Sequence, residues 1–176
     1  MRRAAVAGIM LLPLTLFGCG GDTTSLGPPA TSRSSCVTTG AGADVLPDRS
    51  CTPGATNPAV TQATIESTIC VSGWTARVRP SESVTEVLKA TQMAAYGDQG
   101  PIGSYEEDHL IPLELGGATA DPRNLWPEPG PSPNAKDGVE NAAKAAVCSG
   151  SISLSAAQAA IAANWVIFGR TLGHRR

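Results

Sequence analysis

The sequence predicts an α+β fold, a small mixed domain with flanking helices, preceded by a disordered tether. Three observations predict it. Alanine-rich stretches with helical periodicity lie toward the C-terminus. Short extended pieces around a Gly-Gly turn lie in the middle, and a Gly-, Ser-, Thr- and Pro-rich stretch precedes both. The chain has 176 residues, one ordinary domain's worth, and its 19 Gly and 14 Pro imply long irregular segments around a modest folded unit. Apolar residues make up 41% and aromatics only 4%, so the core must rest on Ala, Val, Leu and Ile. Thirteen Lys plus Arg against 15 Asp plus Glu exclude a protein that binds nucleic acid through bulk positive charge. No apolar run in the body of the chain reaches the ~20 residues of a membrane span. A large enzyme, a coiled coil and a multi-span membrane protein are excluded.

Residues 1–18 read as a secretory leader. Arg2 and Arg3 precede the apolar run from Ala4 to Phe17, which Pro13 would interrupt as a buried helix. The run closes on Leu16-Phe17-Gly18-Cys19, which resembles a bacterial lipobox. That resemblance implies cleavage before Cys19, lipidation of Cys19 and anchoring in the cell envelope by the lipid alone, through the general secretion route. Cleavage leaves 11 basic against 15 acidic residues, a net charge of −4. Residues 19–49 read as a lipid-anchored tether, too polar and too broken by proline to offset their ordering entropy.

Removing Cys19 leaves Cys36, Cys51, Cys70 and Cys148. Four cysteines in an exported chain make two disulfides by one of three connectivities, and no Cys-x-x-Cys pair favours zinc. The expected pairing is Cys36 with Cys51 and Cys70 with Cys148. The first would pin the end of the tether to the body; the second would brace the end of a helix against the segment that supports it.

The folded domain is expected over residues 50–170, with a basic tail at 171–176. Asn57-Pro58 offers a helix start, followed by Val60 and Ile65. Trp74, Ala76 and Val78 alternate with Thr75, Arg77 and Arg79, which predicts a brief strand. Ser83-x-x-Glu86 reads as a capping box before a helix with Val84, Val87, Leu88 and Thr91 at helical spacing, stopped by Gly97. Asn134 to Val147 predicts a helix with Val139, Ala143, Ala146 and Val147 on one face, ended by Gly150. Ser155-x-x-Gln158 is a second capping box. Leu154, Ile161, Trp165 and Phe168 make the last helix amphipathic. Trp74, Trp126, Trp165 and Phe168 are expected in the core, and His174 in a solvated tail.

The chemistry concentrates between Tyr105 and Asp137, where two extended pieces and a helix follow in β-β-α order. Asp108-His109-x-x-Pro112, Gly116-Gly117, Asn124-Leu125 and Asn134-x-Lys136 stand in sequence there. This ordered set resembles the HNH (His-Asn-His) nuclease motif, whose fold is the ββα-metal finger, here spanning about residues 105–148. The longer match from Asp108 to Trp126, with Val147-Cys148-Ser149-Gly150 and Leu154 to Trp165, resembles small exported bacterial proteins of HNH type.

The resemblance implies a metal-dependent endonuclease that hydrolyses phosphodiester bonds of nucleic acid, DNA ahead of RNA, as a monomer. His109 becomes the general base, a role that suits a side chain of pKa near ~6.5. Asp108 and Asn134 become the metal ligands, and Asn124 the brace that orients the base. Oxygen-only ligation favours Mg²⁺ or Mn²⁺ over zinc. Lys136 and Arg123 are the candidate phosphate contacts, and Glu106 and Glu107 are either further ligands or a source of repulsion. The alternative is an inactive envelope lipoprotein that keeps the finger as a binding or structural scaffold.

Overall fold

The computed structural model describes residues 35–174. The expected leader, the expected lipidation site Cys19, the expected tether before residue 35, and Arg175 and Arg176 lie outside them. Among the described residues, helices α1 (Trp74–Val78), α2 (Glu82–Tyr96), α3 (Ala135–Cys148) and α4 (Leu154–Thr171) accompany strands β1 (Tyr105–His109) and β2 (Leu125–Pro129). The two strands form one antiparallel sheet, so the fold is α+β and the β-β-α order holds.

The largest apolar layer lies between α3 and α4. Val139, Ala143 and Val147 repeat every fourth residue along α3 and meet Leu154, Ala157, Ile161, Trp165 and Phe168 of α4. Ala146, expected on that face, is only half-buried. Ile65, Ile69, Ile111 and Leu115 close the layer from the loops. Each such side chain contributes ~1.5–3 kcal/mol on burial. An exposed pair such as Arg170–Asp44, at 3.7 Å, contributes ~0–1 kcal/mol, so the layer decides the packing. α4 bends at Asn164, where the backbone is extended (φ −168°, ψ 97°) and the side-chain oxygen accepts the Ile167 N–H at 2.9 Å. A second cluster gathers Trp126, Leu110, Tyr96 and Cys36.

Several local expectations are corrected. Residues 74–78 are a helix, not a strand: Trp74 and Val78 are one turn apart and face inward, while Ala76 is exposed. A five-residue alternation cannot separate the two periods. The segment after Asn57 is a turn, with Ala59 N–H on the Asn57 side chain, and a 3₁₀ helix follows over Gln62–Ser67, where Thr61 and Thr64 cap reciprocally. α2 starts two residues before the expected capping box, after Ser81, with no side-chain cap. Its buried face is Lys89, Met93 and Tyr96, whereas Val84 and Val87 are 45% and 68% exposed. Tyr96 selects that face, because its hydroxyl meets the Thr52 hydroxyl at 2.9 Å and accepts the Asp48 N–H at 3.1 Å. α4 is capped by Ser153, not Ser155, while Gln158 donates to the Leu115 carbonyl at 2.8 Å.

The folded unit also reaches further than expected at both ends. Residues 36–49 belong to it: Cys36 is 4% exposed, Leu46 packs on the main core, and the Trp165 indole donates to the Val45 carbonyl at 3.1 Å. Thr171 closes α4, and the His174 ring rests against Gly138 of α3 rather than standing in solvent. Both disulfides pair as expected, Cys36–Cys51 with Cα atoms 6.0 Å apart and Cys70–Cys148 at 5.7 Å. Among the described residues, no helix is long and apolar enough to cross a membrane.

The two bridges span 15 and 78 residues. Replacing both members of Cys70–Cys148 by Ser is expected to lower the unfolding free energy by ~2–5 kcal/mol, more than the same change at Cys36–Cys51, because the longer loop gains more chain entropy when released. Denaturant titration of the two double variants checks the ranking.

Candidate functional site

Strand β1 divides the motif between two faces. In an extended strand successive side chains point to opposite sides. The register sets Asp108 opposite Trp126 and Glu106 opposite Glu128 on one side, and Glu107 opposite Pro127 and His109 opposite Leu125 on the other. Asp108 and His109 are 8% and 6% exposed.

On the first side lies the N-terminal turn of α3. Lys136 is 1% exposed, and its ammonium has three acceptors for its three protons. It reaches Asp108 (2.9 Å to Oδ2), the His109 carbonyl (2.8 Å) and Glu140 one turn along the helix. Burial opposes the charge on Lys136, but Asp108, Glu140 and Glu128 outweigh it and hold the ammonium's pKa above its usual value. Asp108 Oδ2 also accepts the Trp126 indole N–H at 2.8 Å, so this carboxylate is fully engaged. Asn134 caps α3: its Oδ1 accepts the Lys136 N–H at 2.8 Å, and Asp137 returns a bond to the Asn134 N–H. The Asn134 amide donates to Glu106 at 3.0 Å and to Glu128 at 3.2 Å. Burial, with Asp108 nearby, pushes the Glu128 carboxyl up to about 9, and burial raises Glu106 as well.

His109 is oriented by the loop between the strands. Its Nε2 lies 2.9 Å from the Thr119 carbonyl. A carbonyl can only accept, which assigns the proton to Nε2 and the lone pair to Nδ1. Burial lowers the His109 pKa below the usual imidazole value, against the opposing pull of the Thr119 bond and of Asp108. The ring is therefore neutral at pH 7. Asn124, fully buried, holds that loop: its Nδ2 donates to the Ile111 and Ala118 carbonyls at 2.9 and 3.0 Å, and its Oδ1 accepts the Ile111 N–H at 3.0 Å. Ala118 adjoins Thr119, so the brace reaches His109 through one peptide. Gly117 is required here, since a Cβ would stand 1.8 Å from the Ile111 carbonyl oxygen.

His109 lines a groove of about 430 Å³ that also holds Glu107, Arg79, Glu86 and Lys89. A small cavity of about 40 Å³ that shares Arg79, Glu106, Glu107 and His109 with this groove is also lined by Asp108 and Glu114. Both Glu107 carboxylate oxygens and Glu114 Oε2 are buried without a hydrogen-bond partner. Burial pushes Glu107 up to about 8, although Lys89 pulls it down. Among the described residues, no three His, Cys, Asp or Glu side chains converge as a ready metal cage. Mg²⁺, however, is ordinarily held by one or two carboxylates, completed by water and substrate phosphate. The unsatisfied oxygens of Glu107 fit that chemistry; Asp108, whose oxygens serve Lys136 and Trp126, and Asn134, whose oxygen serves the helix cap, do not.

The structure thus brings Asp108, His109 and Asn124 together and removes two of the expected contacts. Lys136 is enclosed in its ion pairs and out of reach of a phosphate, and Arg123 is spent in a 2.6 Å pair with Asp121 away from the groove. Arg79, Lys89 and Glu107 line the groove instead. Glu107 was legible, because strand alternation pairs it with His109. Lys89 shares helical spacing with Met93 and Tyr96, a signal that it faces inward. Comparison with known protein families, curated proteins and solved structures finds no match.

Two substitutions separate the network's parts. Lys136→Met is expected to destabilise the fold by ~3–5 kcal/mol, because it leaves Asp108 and Glu140 as buried uncompensated charges; urea unfolding measures it. Asn124→Ala strands the Ile111 and Ala118 backbone groups and is expected to cost ~2–4 kcal/mol while releasing Thr119 from His109; because the Thr119 bond holds the His109 pKa up, its loss is seen as a further fall of that pKa in imidazole NMR titration.

Proposed function

We propose that the protein is an exported phosphodiester hydrolase of HNH type that acts on nucleic acid, DNA ahead of RNA. The observation that carries this reading is a neutral, loop-oriented imidazole beside unsatisfied carboxylate oxygens and a free guanidinium in one groove. His109 is the general base: with Nε2 tied to Thr119, Nδ1 takes the proton of the attacking water. Asn124 is a positioning residue that holds the loop carrying Thr119. Glu107 is the residue that would hold Mg²⁺ or Mn²⁺, which would supply charge neutralisation at the phosphate. Two disulfides and the Cys19 lipobox support a lipid-anchored place in the cell envelope, an oxidising compartment.

One observation favours the scaffold reading. Lys136 already fills the cation place against Asp108, so the finger is held together from within and keeps its shape without chemistry. Plasmid nicking by the mature protein in Mg²⁺ or Mn²⁺ decides between the two.

His109→Ala is expected to lower turnover roughly 10²–10⁴-fold while leaving divalent-ion affinity, measured by calorimetry, unchanged. Because the folded His109 pKa lies below the usual value, the base form gains population as pH rises through the acid range, and activity is expected to level off before neutrality. Undiminished nicking in His109→Ala removes His109 as the base, and absence of nicking by the protein with His109 intact removes the hydrolase reading.

A further inference from the structure

We propose that the groove between α2 and β1 takes a single nucleic-acid strand, with Arg79 gripping the one phosphate that lies at His109. The inference deepens the hydrolase reading and rests on it for the identity of the ligand. Arg79 is the C-cap residue that follows α1, and Pro80 after it confines its backbone to the extended region at the groove's lining. Its side chain is exposed, and its charge is felt by the His109 ring. A guanidinium offers a planar fork of donors that matches two non-bridging phosphate oxygens.

Among the described residues, the other cations explain why only one phosphate can be gripped, Arg49 standing apart because it does not line the groove. Lys89 pairs with Glu86 at 3.3 Å, Lys144 with Glu114 at 3.6 Å, Arg170 with Asp44, Arg123 with Asp121, and Lys136 with Asp108 and Glu140. Arg77 lies over the Trp74 ring, 5.9 Å from its centre. Arg79 is therefore the cation in the groove with no ion pair or hydrogen bond, and Glu82, Glu86, Glu106 and Glu107 line the same walls. Duplex DNA carries a charge about every 1.7 Å of axis, and strong binding to it takes roughly 6–10 phosphate contacts. A second backbone laid against these walls meets carboxylates instead of cations. A single strand can turn its neighbouring phosphates to solvent and present one to Arg79.

The test is fluorescence anisotropy in Mg²⁺, using the full mature chain with His109→Ala to prevent turnover. The probes are a labelled single-stranded 12-mer and the same sequence as a duplex. The single strand is expected to bind about tenfold tighter or better. The slope of log K against log salt should be close to about −1, as one or two phosphate contacts on a single strand require. Arg79→Gln is expected to lose at least about tenfold in single-strand affinity, Arg79→Lys to recover part of it, and Arg170→Gln to bind as the parent does. Equal or tighter duplex binding, a slope of about −5 or steeper, or unchanged affinity in Arg79→Gln overturns the proposal. Hydrolysis by the chain with His109 intact is followed in parallel. Arg79-dependent strand binding without any hydrolysis removes the hydrolase reading and leaves the groove assignment standing, whereas hydrolysis with a duplex preference does the reverse.

Discussion

The Lys136 ammonium is the charge around which the β-hairpin and α3 are assembled. It comes from the first turn of a helix, reaches the last two residues of β1, and touches a side chain and a main-chain carbonyl there. An ion placed in so dry a setting is costly unless every proton finds an acceptor, and here all three do. The geometry of Asp108, the line of β1 and the entry angle of α3 are therefore set together. Trp126 seals the arrangement from the neighbouring strand by donating its indole proton to the same carboxylate.

That arrangement leaves the two faces of β1 with different electrical characters. Toward α3, the carboxylates of Asp108, Glu106, Glu128 and Glu140 share one ammonium, and burial keeps Glu128 protonated at neutral pH. Toward α2, Glu107 and His109 look into a groove where burial favours the neutral form of both. Neutral side chains there lessen the repulsion that a chain of net −2 would otherwise present to a phosphate. The acidity of the whole chain is thus a poor guide to the field inside its groove.

The sequence made some levels of this structure legible and left others hidden. The last two helices could be read because their apolar residues recur over three or more turns, and the disulfide pairing followed from what each cysteine could brace. The α1 region could not, since Trp74, Ala76 and Val78 satisfy a two-residue alternation and a helical turn equally well. The expected caps Ser83 and Ser155 each have another serine two residues earlier, and both helices begin after that earlier serine, Ser153 with a side-chain cap and Ser81 without one. In the site, the order Asp108, His109, Asn124 survived folding, because strand and loop keep neighbours together. Lys136 and Arg123 were misjudged because exposure depends on partners from other elements. Nothing near Lys136 in sequence announces that Asp108 will draw it inward. Arg79 and Lys89 approach His109 only once α2 has docked, and its docking face is chosen by Tyr96 rather than by Val84 and Val87.

The Cys36–Cys51 bridge carries a mechanical meaning. Ser35 and Cys36 both donate their N–H to the Ala95 carbonyl in the last turn of α2, so the chain arrives on the body at that point. A pull arriving from the N-terminal side passes through sulfur directly from residue 36 to residue 51, bypassing the fourteen residues between them. The stretch from 37 to 50, with its bridge between Thr39 and Leu46 and its contact to Trp165, is then relieved of tension and keeps its packing on α4. A domain held from one end in this way can be tugged without its core being peeled open from the side where it is held.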